Sequence, residues 1–129
     1  MRERLEPILE RWEEGDFGGW DESFAPDLLL TGFDADGAHR ARGPEEINAY
    51  LRRFFRQFRD YRVKMQDLEQ LDDESALMKG RQYGIGRLSG LEVDEVLYIV
   101  FRFSSGRLTE MHWHIDREAA LAAAGLDAA

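Results

Sequence analysis

The sequence contains no cysteine, which excludes disulfide bonds and thiol chemistry and fits either redox compartment. It also has no apolar run near the roughly 18 residues that a membrane-spanning helix needs, and residues 1–14 are too charged for a signal peptide. Basic residues are the minority, because 17 Lys and Arg face 26 Asp and Glu, and the net charge of −9 argues against nucleic-acid binding. We therefore expect a soluble, cytoplasmic protein without membrane or nucleic-acid partners. Its 129 residues suffice for one core and are few for two, which predicts a single domain.

The clearest periodic pattern predicts an amphipathic helix over residues 43–60. Pro44 suits the first helical turn, where its missing N–H would have no partner. The apolar stripe consists of six residues at helical spacing, namely Ile47, Tyr50, Leu51, Phe54, Phe55 and Phe58. The opposite face carries Arg52, Arg53, Arg56 and Arg59. This basic face is either an anion or nucleic-acid patch or a solvated helix face, and the acidic residues nearby favour the solvated face.

The segments before this helix predict two helices, a strand and a loop. An N-terminal helix is indicated by Leu5, Ile8, Leu9 and Trp12. Asp16 is placed to cap a short second helix that ends before Pro26 and carries Phe17, Trp20 and Phe24 inward. Residues 28–30 form a brief apolar strand, and the polar stretch 31–42 is predicted as a loop. Long loops are often functional, so its polar residues are candidates for a site: Asp34, Asp36, His39, Arg40 and Arg42.

After residue 60 the pattern changes to four strand-like runs separated by turn signals. The runs cover about 61–71, 76–87, 91–103 and 107–116, and their short connections predict an antiparallel meander. Residues 117–125 predict a final helix, capped by Asp116 and ended by Gly125. Helices followed by strands indicate an α+β fold. A curved sheet wrapped around the aromatic helix, with the N-terminal helices closing one end, makes a cone whose unfilled interior is a pocket.

The order of elements and four local strings resemble the SnoaL-like branch of the nuclear transport factor two-like superfamily. The strings are GDFGGWDESFAPD at 15–27, RGPEEINAYL at 42–51, SGLEVDE at 89–95 and SGRLTEMHWHIDREAALAAAGL at 105–126. The resemblance implies a cystatin-like cone of α+β class with an apolar pocket. It implies no particular reaction, because the fold hosts isomerases, cyclases, dehydratases and non-catalytic modules.

Ketosteroid isomerases of this superfamily use an aspartate base and an oxyanion hole of one tyrosine and one protonated aspartic acid. The resemblance places the tyrosine position near Ile8 and the oxyanion aspartate at Ile99, and neither side chain can donate a hydrogen bond. The base position falls at Gly32 when counted forward and at Asp34 when counted back. Steroid isomerisation by the familiar mechanism is therefore not expected.

Strand parity and the resemblance together predict which residues face the cavity. The catalytic candidates are Asp34 or Glu95 as acid or base and Gln82 or Tyr98 as oxyanion donor, with no cofactor. Pairing of Glu95 with Arg81 would instead make that carboxylate structural. Inward glycines at 80, 84 and 86 either enlarge the cavity or mark bulges. The predicted ligand contacts are Trp20, Phe33, Tyr50, Phe54, Leu97, Ile99, Met111 and Trp113, although for any single aromatic residue plain core is the commoner explanation.

The last strand carries Glu110, His112 and His114 on the face opposite Met111 and Trp113. In the resembling family this outer face is commonly a dimer interface, so we expect a homodimer that uses these three residues. A zinc site is a weaker interpretation, because no further ligand is spaced to complete it.

Three functional hypotheses remain open at this point. The first is a pocket for a small apolar molecule, with or without proton-transfer chemistry on it. The second is a non-catalytic ligand carrier or dimerisation module. The third is a structural protein whose core is filled.

Overall fold

The computed structural model describes residues 2–14, 24–34 and 37–126, and at positions 2, 33, 34 and 37–39 it describes the backbone only. The predicted second helix and Trp20 fall outside the described residues. In the described part, three helices accompany six strands. The helices are α1 (Arg2–Glu13), α2 (Gly43–Phe55) and α3 (Arg117–Ala123). The strands are β1 (Phe24–Asp34), β2 (Gly37–Arg42), β3 (Phe58–Asp72), β4 (Ser75–Gly86), β5 (Glu92–Ser104) and β6 (Arg107–His114).

The strands form one curved, unclosed sheet in the order β2-β1-β6-β5-β4-β3. The run from β3 to β6 is an antiparallel meander, which confirms the prediction for the second half of the chain. β1 extends the sheet beyond the meander by pairing in parallel with β6, with Leu30 opposite Met111. The α+β class and the cone-like fold are therefore as the sequence predicts.

The inner face of the sheet packs against α1 and α2 and forms the main core. Leu97, Ile99 and Phe101 of β5 belong to this core, together with Leu5 of α1 and Ile47 of α2. The alternation along β5 sends Tyr98 and Val100 to the outer face, where they pack with α3 in a second, smaller cluster. Asp116 caps α3 by accepting from the backbone N–H of Glu118, as predicted.

Three sequence predictions about the first half of the chain were wrong. Phe24 and Pro26 lie in strand β1, so no helix ends at Pro26. The predicted loop 31–42 is instead an antiparallel hairpin, in which Thr31 of β1 pairs with Arg40 of β2. Helix α2 ends at Phe55, and Phe58 already pairs with Gly86 as the first residue of β3.

The cause of the early helix end is the pairing of the following residues with β4. The backbone N–H of Arg87 donates to the carbonyl of Gln57 at 2.9 Å, and the Arg87 Nε donates to the carbonyl of Phe58 at 3.0 Å. Strand pairing therefore satisfies backbone groups that a longer helix would have bonded internally.

Candidate functional site

A cavity of about 230 Å³ lies between the last turns of α2 and the inner face of the sheet. Its walls are mostly apolar and come from α2 and all strands except β2 in the described part of the chain. The lining residues are Leu30, Tyr50, Leu51, Phe54, Phe55, Gln57, Phe58, Tyr61, Gln82, Val93, Glu95, Leu97, Trp113, His114 and Ile115. A concave, mainly apolar volume with a few polar groups is the usual form of a small-molecule site.

One wall of the cavity is a cluster of aromatic rings around Phe54. The ring of Phe54 lies 5.3 Å from that of Tyr61 and 5.5 Å from that of Phe55, in edge-to-face arrangements. Tyr50 and Phe58 lie at 6.2 and 5.4 Å from the same ring. These distances are in the range where aromatic pairs attract beyond simple burial, so the rings of this wall stabilise one another.

The polar side of the cavity starts with Tyr61, whose hydroxyl donates to the Gln82 Oε1 at 2.6 Å. Burial raises the pKa of Tyr61 far above its usual value, and the nearby Tyr50 and Glu95 raise that pKa further. The phenol therefore keeps its proton and remains a donor. Because the amide oxygen of Gln82 is engaged in this way, its N–H groups are the part of the amide left for a ligand.

Glu95 lies next to Gln82 across the β4–β5 pair and completes the polar side. Its side chain is exposed at the cavity edge, whereas Tyr61 is buried deeper. The alternative of a structural pair with Arg81 does not form, because the Arg81 Nε bonds the Oδ1 of Asp94 at 2.7 Å. Asp94 and Arg81 face away from the cavity. The Glu95 carboxylate therefore lies at the cavity edge and is not paired with Arg81.

Gly32 of β1 faces the opposite side of the cavity region. A methyl group at this position would lie 3.3 Å from the Tyr50 hydroxyl and 3.5 Å from the Trp113 Cβ, so the glycine leaves room for both side chains. The Trp113 ring lies 5.0 Å from the Trp12 ring between centroids, in a tilted arrangement. Its indole nitrogen is buried and, within the described part of the chain, has no hydrogen-bond partner.

Six of the predicted site residues lie together around the cavity: Gln82, Glu95, Tyr50, Phe54, Leu97 and Trp113. Ile99 and Met111 are buried in the main core beside it and do not line it. The backbones of Phe33 and Asp34 lie at the end of β1, and the positions of their side chains are outside the described residues. The roles of all these residues in binding or catalysis stay predictions.

Tyr98 is the one described candidate that lies on the wrong side of the sheet. It packs against the outer cluster formed by α3, because it alternates with the inward Leu97 and Ile99 on β5. Tyr98 therefore cannot serve as the donor in the cavity. Sequence reasoning missed Tyr61, which supplies a buried hydroxyl there, because residue 61 follows a helix that was predicted to continue to residue 60.

The positions that the resemblance assigns to the oxyanion hole of ketosteroid isomerases carry neither a tyrosine nor an aspartic acid. Ile8 and Ile99 are both buried in the main core. Of the two residues counted to the base position, Gly32 faces Tyr50 and Trp113 and has no side chain to act.

The outer face of β6 holds a hydrogen-bonded chain around His112. Thr31 Oγ1 lies 2.7 Å from the His112 Nδ1, and Glu110 Oε1 lies 2.7 Å from the His112 Nε2. His112 and His114 are only 1% and 7% exposed. Burial lowers the pKa of His112 despite the neighbouring Glu110, and burial together with His112 lowers the pKa of His114. Both imidazoles are thus already buried within one chain, and only Glu110 of the three predicted interface residues is partly exposed.

No cluster of three or more potential metal ligands occurs among the residues that the structure describes. The pair of histidines with Glu110 therefore forms a hydrogen-bonded network rather than a gathered ligand set. Within the same residues, no helix has the length and apolar character required to cross a membrane.

The fold agrees with the family and the solved structures that the chain matches. Residues 5–111 match the model of the SnoaL-like domain family, and the chain belongs to that family. No curated protein matches the chain in sequence.

Solved structures with the same fold are only distantly related in sequence. A nuclear transport factor two-like protein of unknown function from Burkholderia pseudomallei is 20% identical, with a TM-score of 0.76 and 98% and 96% of the two chains covered. A protein of ketosteroid isomerase-like fold from Catenulispora acidiphila, in complex with trimethylamine, is 15% identical, with a TM-score of 0.70 and 95% and 92% covered. An epoxide hydrolase of the LEH-like type from M. tuberculosis is 22% identical, with a TM-score of 0.63 and 93% and 85% covered. At these identities the likeness establishes the fold alone.

Proposed function

We propose that this protein binds a small, largely apolar molecule in the cavity beneath α2. The apolar part of the ligand packs against the rings of Phe54, Phe55 and Phe58, and a polar atom of the ligand meets Gln82 and Glu95. The single observation that carries the proposal is the placement of these groups around one volume of about 230 Å³, with apolar walls and one polar side.

The comparisons support this proposal at the level of the fold. Residues 5–111 belong to the SnoaL-like domain family, and the Catenulispora protein of similar fold was solved in complex with trimethylamine. The half-buried Trp113 side chain fits a site whose interior is shaped before the ligand arrives, because its ring already lies against that of Trp12.

Two matched variants on β5 test whether the cavity is the binding site. Val93 lines the cavity and Val96 lies on the outer face, and both side chains are half-buried. Val93→Phe places a ring in the cavity and should abolish the binding of apolar probes such as para-tert-butylphenol, measured by calorimetric titration. Val96→Phe adds the same ring to the opposite face and should leave binding unchanged. Equal binding by wild type and Val93→Phe would show that the cavity is not the site.

A second function, proton transfer on a bound carbonyl compound, is favoured by the adjacency of Gln82 and Glu95. In this version Glu95 removes a proton next to the carbonyl, and the Gln82 N–H groups stabilise the oxyanion. Tyr61 strengthens these donors because it polarises the Gln82 amide through its carbonyl oxygen. Asp34 stays the other candidate base.

This chemistry can be detected before the natural substrate is known. A base of this kind exchanges the acidic C–H protons of a bound ketone with deuterium oxide, and NMR follows the exchange. Wild-type protein should accelerate exchange in at least one member of a panel of small ketones, and Glu95→Gln should remove the acceleration while Asp34→Asn preserves it. Loss in Asp34→Asn alone would move the base to Asp34, and unchanged rates in both variants would remove the acid–base assignment.

A further inference from the structure

We propose that the ligand of this cavity is a small organic cation, a quaternary or protonated amine with an apolar body. The proposal rests on the proposed function and specifies its ligand class. The observations that support it are the charges and the aromatic rings around the cavity, and not the cavity volume.

The charge inside the cavity is of one sign. Among the described lining residues, Glu95 is the only Asp, Glu, Lys or Arg. Arg81, which precedes Gln82 on β4, is turned outward and bonds Asp94 at 2.7 Å. His114 lines the cavity too, but burial and the neighbouring His112 lower its pKa, so it is neutral at pH 7. An anionic ligand would therefore meet the Glu95 carboxylate and only uncharged donors such as the Gln82 amide, whereas a cation would find one oppositely charged partner.

The walls of the cavity suit the same charge. Six of the fifteen lining residues that the structure describes are aromatic: Tyr50, Phe54, Phe55, Phe58, Tyr61 and Trp113. The face of an aromatic ring carries negative potential and attracts a cation within about 6 Å, most strongly where water is excluded. Tyr61 contributes as a neutral phenol, because its proton is held by burial. A carboxylate at the rim of a pocket with several rings is thus a complete environment for an alkylated ammonium group.

The positive charges of α2 do not reach the cavity. Arg52, Arg53 and Arg56 line a neighbouring open groove together with Arg40, and of these four arginines none is among the described lining residues of the cavity, although Tyr50 lines both. The chain as a whole carries a net charge of −9, which raises the local concentration of cations near its surface. The field outside the cavity and the charge inside it therefore favour the same kind of ligand.

A pair of ligands with the same shape and different charge tests the proposal. Para-hydroxyphenyl-trimethylammonium and para-tert-butylphenol differ in the replacement of a quaternary carbon by a quaternary nitrogen, and both dissolve in water. Calorimetric titration of the wild-type chain should give about tenfold tighter binding of the cation than of the neutral ligand. Glu95→Gln should reduce this preference to about threefold or less, with little change for the neutral ligand. Glu92→Gln serves as the matched control, because it removes the same charge from an exposed residue of β5 that does not line the cavity, and it should keep the preference.

The outcomes separate this proposal from the one on which it rests. Equal affinities for the two ligands, or a preference that survives Glu95→Gln unchanged, would overturn the cation assignment and leave binding of apolar molecules intact. Binding of neither ligand at the solubility limit of para-tert-butylphenol would overturn both proposals.

Discussion

Tyr61 is the residue on which the polar side of the cavity depends. It is buried, it contacts Phe54, Phe55 and Phe58, and its hydroxyl fixes the orientation of the Gln82 amide. The sequence hides this role, because the position looks like an ordinary strand residue after a helix. Only the pairing of β3 with β4 brings the phenol to the amide.

Tyr61→Phe tests this role directly. The variant keeps the ring and removes the hydroxyl, so the Gln82 Oε1 loses its partner. We expect the free energy of unfolding in urea to fall by about 1 kcal/mol, the usual net value of one hydrogen bond. The amide can then rotate, so ligand affinity in the cavity should fall as well. Tyr98→Phe is the control, since it removes a hydroxyl from the outer face and should leave ligand affinity unchanged.

The buried histidines of β6 predict how stability depends on pH. Burial lowers the pKa values of His112 and His114 in the folded state, so the unfolded chain takes up protons first as the pH falls. The stabilising effect of the neutral imidazoles is complete above the ordinary histidine pKa of about 6.5 and is lost as the pH falls below it. We expect the free energy of unfolding to decrease from about pH 7 to about pH 5.5, above the range where most carboxylates titrate.

Urea unfolding at several pH values measures this slope. A His112→Gln, His114→Gln double variant should be less stable at neutral pH and should show a flatter dependence over the same interval. A double variant with the wild-type slope would assign the dependence to other groups.

At the level of elements, the sequence predicts those parts of the fold that repeat a local period. The α2 stripe, the four strands of the meander and the capped α3 all carry such a period, and all are present. The β1–β2 hairpin was missed because residues 31–42 are polar and contain two glycines, so they show no alternation. The parallel pairing of β1 with β6 joins residues about eighty positions apart, which no local pattern can indicate.

The sequence likewise predicts the position of some cavity residues and not of others. Strand parity was sufficient to place Gln82, Glu95 and Leu97 on one face, because β4 and β5 pair without interruption. It could not tell Leu97, which lines the cavity, from Ile99, which is fully buried two residues later. That difference depends on which part of the sheet α1 and α2 pack against, and this packing is visible only in the folded structure.

The glycines of β4 were predicted either to enlarge the cavity or to mark bulges, and Gly80 lies beside a bulge. The β3–β4 register shifts beside it, between Met65 and Asp67. A Cβ at Gly80 would lie 2.5 Å from the Lys64 carbonyl oxygen and 2.8 Å from the Met78 sulfur. The nearest atom belongs to the backbone, so the sheet itself must move to admit a side chain.

Gly80→Ala should therefore lower the free energy of unfolding by about 1–3 kcal/mol, the usual cost of overpacking. Gly84→Ala is the matched control on the same strand, because its new methyl would meet the Phe58 ring at 3.3 Å, and a side chain yields more easily than backbone. Its loss should be smaller. Equal stability of Gly80→Ala and wild type would contradict the close approach of β3 at this point.

At the scale of the whole molecule, the expected homodimer stays a prediction. We expect light scattering to give a mass twice that of the single chain. A His112→Glu, His114→Glu variant cannot test the interface cleanly, because both side chains are buried in one chain and new charges there should unfold it. A monomer at all concentrations would remove the dimer proposal and leave the cavity as described, because the described lining comes from one chain.

The central claim is that the aromatic cavity is an open binding site rather than a filled core. The most direct measurement is an NMR titration of the wild-type chain with para-tert-butylphenol, followed through the indole N–H signal of Trp113 and assigned with a Trp113→Phe variant. We predict a saturable shift of this signal and of the signals of neighbouring cavity residues, with no change at Leu77 or Leu121 in the outer cluster. An unshifted Trp113 signal at the solubility limit of the ligand, or shifts confined to the outer face, would contradict the account.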